Sequence, residues 1–168
     1  MSLSMYSASV PVLVRGLKNL SALLDKAAQH AQDRQIDAAV FIEGRLAADM
    51  FPLRRQVQSV SDVAKGCAAR LAGIEIPSFA DTETSFAELQ ERIARTIAFL
   101  ESVSAAQIDG SEERAVTIKA RGREIPFTGQ SYLLAFAMPN FYFHLTTAYD
   151  ILRHLGVDIG KMDYLGAV

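Results

Sequence analysis

Apolar residues recur at intervals of three and four positions along two long segments in the first half of the chain, which is the spacing of one helix face. The first segment covers about 6–31, and Pro11 is expected in or near its first turn, where a missing N–H breaks no hydrogen bond. The second covers about 53–71 and is followed by Gly73, a residue type that favours a helix C-terminus. Two amphipathic helices are therefore predicted before residue 74.

A third helix is predicted after a loop over about 74–84. Ser85 and Glu88 have the spacing of a capping box, in which each side chain accepts a hydrogen bond from the backbone N–H of the other residue. The apolar pattern that follows keeps its helical spacing as far as Leu100. The helix is thus expected to begin at this box and to end near residue 100.

The spacing of the apolar residues then changes to two, which is typical of a β-strand, on both sides of Gly122. The alternating apolar residues are Val116, Ile118, Ile125 and Phe127. A short β-hairpin is predicted here. A last apolar run over about 130–155, interrupted at Pro139 and ended by Gly156, predicts a fourth helix.

Four long helices and one small hairpin predict a mainly all-α fold, an up-and-down four-helix bundle with the hairpin before the last helix. No repeat, low-complexity stretch or Gly/Ser-rich linker divides the sequence. We therefore expect residues 1–168 to form a single helical bundle domain, a length that can bury a sizeable core.

Composition excludes several classes of function. The 17 basic and 19 acidic residues give a net charge of −2, so no nucleic acid partner is expected. No apolar stretch reaches the ~18 residues of a membrane span, and no membrane partner is expected. The single Cys67 excludes an internal disulfide and a multi-cysteine zinc site. Without a recognisable signal peptide, a cytoplasmic location is expected.

One histidine of the last helix is predicted to face the core. At ~100° per residue, His144 falls on the same apolar stripe as Ala148 and Leu155, near its centre. Asn140 lies one turn earlier on that side, whereas His154 lies on the flank, about 15 Å further along the helix. The two histidines are therefore not expected to act together. A lone histidine on an apolar face is more often a hydrogen-bonded core residue than a ligand.

The second helix places Gln56 on its buried stripe. If this helix extends before Pro52, Asp49 and Arg45 join the same stripe; alternatively Pro52 marks the helix start and the two charged residues form an ordinary ion pair. Buried polar groups are costly unless they are paired, so polar residues facing inward suggest a pocket. The candidate pocket residues are Arg45, Asp49, Gln56, Asn140 and His144.

Two segments, 45–58 and 139–166, together resemble an uncharacterised bacterial domain-of-unknown-function family of the DinB/YfiT-like superfamily of metal-dependent four-helix bundles. The resemblance extends over nearly the whole chain. It implies a bundle with an inward cavity that frequently forms a homodimer. It also implies three histidine ligands for a divalent metal, one from the second helix and two in a His-x-x-x-His motif on the last.

The chain departs from that metal motif. His144 matches the first histidine of the last-helix pair, but the residue four positions later is Ala148. The second helix, about 51–73, contains no histidine. One histidine with one glutamine is a poor site for zinc or nickel, so we expect no tightly bound metal, with His144 as the ligand if one binds.

Three functions stay open at this point. The first is a bundle whose inward polar pocket binds a small molecule without the three-histidine metal site. The second is a metal-dependent or thiol-dependent transferase-type enzyme, in which His144 is the general base or remaining ligand and Asp49 orients it. The third is a structural homodimer without a ligand, whose polar core residues only fix the helix register.

Overall fold

The computed structural model describes residues 3–120 and 122–166. Four helices of at least 17 residues dominate this part of the chain, with shorter helices and one hairpin between them. In chain order the elements are α1 (Val10–Arg34), α2 (Ala38–Ile42), α3 (Leu53–Ala72), α4 (Phe86–Ser102), α5 (Ala105–Ile108), β1 (Ala115–Ala120), β2 (Arg123–Thr128), α6 (Gly129–Tyr132), α7 (Met138–His154) and α8 (Lys161–Leu165).

The long helices form the predicted four-helix bundle. Helices α1 and α3 each pack against both α4 and α7, so the order around the bundle is α1, α4, α3, α7. All four contribute fully buried apolar side chains to one contiguous core, among them Leu17, Val60, Ile93 and Ile151. Within the described residues, no helix is long and apolar enough to span a bilayer.

Local signals place several helix ends and the hairpin where the sequence predicts them. Pro11 lies in the first turn of α1, and Gly73 ends α3 in the left-handed conformation, with φ of 69°. Both capping-box bonds at α4 form, from Glu88 N to Ser85 Oγ at 3.2 Å and from Ser85 N to Glu88 Oε2 at 3.1 Å. In the hairpin, β1 and β2 pair around Gly122, where φ is +74°.

The second long helix begins directly after Pro52, which confirms one of the two predicted alternatives and contradicts the other. Pro52 has an extended backbone and immediately precedes Leu53, the first residue of α3. Proline has no N–H to donate within a helix, so it suits this starting position. The extension that would have brought Arg45 and Asp49 onto the buried stripe is wrong. Both residues lie in the segment between α2 and α3, and both are exposed.

The other differences concern elements without a long apolar period. The first helix spans Val10–Arg34, where 6–31 was predicted, and the short helices α2, α5 and α8 were not predicted. The interruption of the last helix is a π-helical segment, Leu133–Ala137, which joins α6 to α7 just before Pro139. One or two helical turns leave no periodic pattern long enough to recognise, and a π segment keeps the same apolar composition.

Gly16 sets the distance between α1 and α7. A Cβ atom built on it would lie 2.6 Å from Cε1 of Phe141 and 3.3 Å from Cδ2 of Leu145. The Phe141 ring is fully buried in the core, so an added methyl group would press on packed side chains. Only glycine therefore allows the two helices to pack at this distance.

We expect Gly16→Ala to lower the free energy of unfolding by about 1–2 kcal/mol, because overpacking against Phe141 outweighs the helix propensity gained by alanine. Gly66→Ala is the matched control, since its added Cβ would meet only the flexible end of Arg70. The control should change stability by less than about 1 kcal/mol. Urea unfolding of both variants measures the difference, and equal losses would contradict the packing argument.

Candidate functional site

Gln56 of α3 and His144 of α7 meet where these two helices pack together. Nδ1 of His144 lies 2.7 Å from Oε1 of Gln56, and Nε2 of Gln56 donates to the backbone oxygen of Phe51 at 3.1 Å. A backbone carbonyl oxygen only accepts hydrogen bonds, so the Gln56 amide nitrogen must face Phe51 and its oxygen must face the imidazole. The proton of the neutral His144 ring is therefore on Nδ1.

The other ring nitrogen of His144, Nε2, has no hydrogen-bond partner among the described residues and is not fully enclosed by them. Burial lowers the pKa of His144 below its ordinary value, and the nearby positive charge of Arg55 lowers it further. At neutral pH, Nε2 thus carries a lone pair that can accept a hydrogen bond or a proton.

His144 lies at the edge of the buried stripe of α7, and not near its centre as its helical spacing predicts. The residues at the centre are fully buried: Phe141, Leu145, Ala148 and Leu152. His144 is only half-buried, and so is Leu155, which the same spacing predicts to be in the stripe. Because it lies at this edge, His144 contacts the buried Gln56 on one side and the protein surface on the other.

Charged and aromatic side chains surround the pair. Arg55 donates from Nη1 to Oε1 of Gln58 at 3.2 Å and forms an ion pair with Asp81. Its guanidinium carbon lies 5.6 Å from the centre of the Phe51 ring. The rings of Phe51 and Phe143 are 50% and 56% exposed, which is unusual for phenylalanine and gives this part of the surface an apolar character.

Arg55 is positioned by an ionic network centred on a buried arginine, which no pattern in the sequence predicted. Arg92 of α4 is 2% exposed, and its Nη1 donates to Glu83 Oε1 at 2.9 Å. Its Nη2 lies 2.8 Å from Asp62 and 3.0 Å from Asp81, the carboxylate that also pairs with Arg55. Acidic residues in the 74–84 loop were the available signal, but the sequence does not show that this loop folds back onto α4.

The charges of this network balance. Its three cations and three carboxylates are Arg55, Lys65, Arg92, Asp62, Asp81 and Glu83. Burial by itself would raise the pKa of Glu83, but hydrogen bonds from Arg92 and Gln58 outweigh it and hold that pKa below its ordinary value. The same pairing raises the pKa of Arg92 despite its burial. Glu83 and Arg92 therefore stay ionised at neutral pH.

The structure brings together only two of the five candidate pocket residues, Gln56 and His144. Asn140 is half-buried one turn before His144 on α7. Arg45 is exposed and hydrogen-bonds the backbone of Met50, and Asp49 is also exposed. The residue that orients the imidazole is therefore Gln56, and the orienting role suggested for Asp49 is wrong.

The residues at this site do not fit a tightly held zinc or nickel ion, which takes three or four protein ligands. His144 supplies one nitrogen, Ala148 occupies the position one turn later, and the Gln56 oxygen already accepts the Nδ1 proton. In the part of the chain that the structure describes, no three His, Cys, Asp or Glu side chains are grouped to hold a metal. Burial also raises the pKa of Cys67 to about 12, which keeps its thiol protonated.

Comparison with known proteins identifies the family. Residues 5–165 match the model of the family described as Domain of unknown function (DUF1993). The chain belongs to this family. It is also 43% identical to a DinB family member protein from Shewanella denitrificans whose crystal structure is known. That match covers 97% of this chain and 92% of the other, with a TM-score of 0.87, so the fold is DinB-like. No curated protein matches the chain.

We expect Arg92→Met to lower the free energy of unfolding by about 3 kcal/mol, because it leaves the buried carboxylate of Glu83 without its cation, whereas Asp62 and Asp81 are partly solvated. Arg95→Met is the control, since Arg95 is exposed and contacts the Phe79 ring from outside. It should cost no more than about 1 kcal/mol. Denaturant unfolding at pH 7 measures both, and a loss below about 1 kcal/mol for Arg92→Met would contradict the structural role of the network.

Arg55→Gln should raise the pKa of His144, because it removes the positive charge that disfavours the imidazolium. Arg54→Gln, which removes an equal charge that instead pairs with Glu43, should leave it unchanged. NMR titration of the histidine ring signals measures both. Since folding lowers this pKa from about 6.5, the contribution of His144 to stability is complete above pH 6.5 and decreases as the pH falls towards the folded value. If the pKa of His144 does not rise in Arg55→Gln, the electrostatic coupling between these two residues is excluded.

Proposed function

We propose that this protein binds a small organic molecule at the Gln56–His144 pair without a bound metal ion. One observation carries the proposal: Gln56 fixes the imidazole in the tautomer that leaves Nε2 unprotonated and accessible from the surface. A histidine that served only to stabilise the core would be expected to have both ring nitrogens bonded or enclosed.

The surroundings indicate the chemistry of the ligand. Nε2 of neutral His144 accepts a hydrogen bond, so the ligand needs a donor such as a hydroxyl or an amide N–H. The exposed rings of Phe51 and Phe143 offer apolar contact for the rest of the ligand. Arg55 adds a positive charge that favours a ligand with negative charge near its donor group.

The same nitrogen supports a second candidate, an enzyme in which His144 is a general base. A lowered pKa keeps Nε2 free to take a proton from a substrate at neutral pH. A transferase-type reaction in which the substrate loses a proton would use this step. The proton transfer itself requires no further side chain of the protein. The third hypothesis, a structural homodimer without a ligand, gives no reason for an accessible Nε2. Homodimer formation and a cytoplasmic location stay predictions from the sequence.

We expect hydrogen-bond donors to shift the Nε2 signal of His144 in protein labelled with 15N at histidine. The test screens simple alcohols, phenols and primary amides by NMR, and a ligand should give saturable shifts because its donor replaces water at Nε2. Gln56→Leu should weaken binding about five-fold, since the ring then loses the hydrogen bond that fixes its tautomer.

Two histidine variants make the matched comparison. His144→Phe should abolish the binding, and His154→Phe should retain it, because His154 is exposed at the end of α7 away from Gln56. Binding that survives in His144→Phe, or no saturable shift with any donor, would refute the proposal. Stoichiometric zinc or nickel in protein purified without a metal-affinity tag would contradict its metal-free part.

A further inference from the structure

A separate cleft of about 230 Å³ lies between α1, α7 and α8. Its floor includes Gly16 and Leu145, at the place where α1 and α7 come closest. The rings of Tyr142 and Tyr164 form part of its walls, and Val12 lines it from the α1 side. Neither Gln56 nor His144 lines this cleft, so it is distinct from the candidate site above.

The wall formed by α8 is attached to the bundle by polar contacts and by the half-buried ring of Tyr164, which packs against the core and contacts the ring of Tyr149. None of its residues is fully buried. Nδ2 of Asn19 donates to the backbone oxygens of Tyr164 and Leu165 at 3.0 and 2.9 Å, and Lys26 pairs with Asp163 at 2.6 Å. The exposed polar contacts contribute little stability, which leaves the Tyr164 ring as the main contact that α8 would lose on moving away from the bundle.

Polar groups are concentrated at one part of the cleft. Nη2 of Arg15 donates to the backbone oxygen of Leu165 at 3.0 Å. Burial raises the pKa of the Tyr142 hydroxyl, Tyr164 raises it further, and Arg15 acts in the opposite direction. The Tyr164 hydroxyl is already bonded to Thr146 at 2.9 Å. Arg15, Tyr142 and Tyr164 all line the cleft, and the Tyr142 hydroxyl has no hydrogen-bond partner among the described residues, so it can bond a polar group of a ligand.

We propose that this cleft binds a monocyclic aromatic compound that carries one polar substituent, with α8 as its movable wall. Its volume is below the ~300–1,000 Å³ of pockets for drug-sized ligands and suits an occupant of about one ring. Two tyrosine rings favour an aromatic over an aliphatic body, through offset or edge contacts. The substituent is an oxygen that meets the hydroxyl of Tyr142.

The probe for this proposal is 4-methylphenol, titrated into the full chain and followed by NMR. We expect saturable shifts at Val12 and Tyr142 with a Kd on the order of 1 mM, which is normal for a ligand of this size. We also expect slower exchange of the Gly166 amide, whose hydrogen bond to Met162 closes α8, because a bound ligand holds that wall in place.

Two added phenylalanines provide the comparison. Val12→Phe places a ring in the cleft and should weaken binding about tenfold or more, because the ring occupies the same space as the probe. Lys18→Phe adds the same ring on the exposed part of α1 that faces Glu101, and should leave the affinity within about twofold.

Three results would overturn the proposal. The first is the absence of saturable shifts at Val12 and Tyr142. The second is binding that Val12→Phe leaves intact and His144→Phe removes, which would assign the probe to the Gln56–His144 pair. The third is a change in sedimentation mass caused by Val12→Phe without any effect of the probe, which would make the cleft a contact between copies of the chain.

Discussion

The burial of the positive charge of Arg92 determines how the segment between α3 and α4 packs on these two helices. A guanidinium as enclosed as that of Arg92 costs several kcal/mol of desolvation unless carboxylates surround it. Asp62 reaches it from α3, but Asp81 and Glu83 come from the segment that joins α3 to α4. That segment must therefore fold back over the two helices. A connection that could have been a loose loop becomes part of the packed structure.

Arg92 is also connected to the candidate site, through Asp81. This carboxylate pairs with Arg92 on one side and with Arg55 on the other. Arg55 is thereby held where its charge lowers the pKa of His144. A buried ionic network is weak evidence for stability taken alone, because its desolvation offsets much of its attraction. Its value here is geometric, since it fixes a cation beside a neutral imidazole.

Helix α7 carries both proposed sites on different sides. His144 faces α3 at the edge of the buried stripe, whereas Tyr142 and Leu145 face the cleft next to α1. The fully buried ring of Phe141, on α7, packs against Gly16 of α1 and sets the distance between these two helices. Ligand chemistry at either site thus depends on one rigid helix, and rigid elements hold side chains in place more accurately than loops do.

Features that depend on neighbours within a turn or two can be predicted from the residues alone: the helices of the bundle, the capping box at Ser85, the end of α3 at Gly73 and the hairpin. Each follows from backbone groups that local side chains or local conformations must satisfy. The inward direction of Gln56 also followed from its period. The hydrogen bond between Gln56 and His144, and the burial of Arg92 among carboxylates, arise only when the helices pack together. Those contacts join residues 88 and 30 positions apart, and helix packing sets them, which no local pattern encodes.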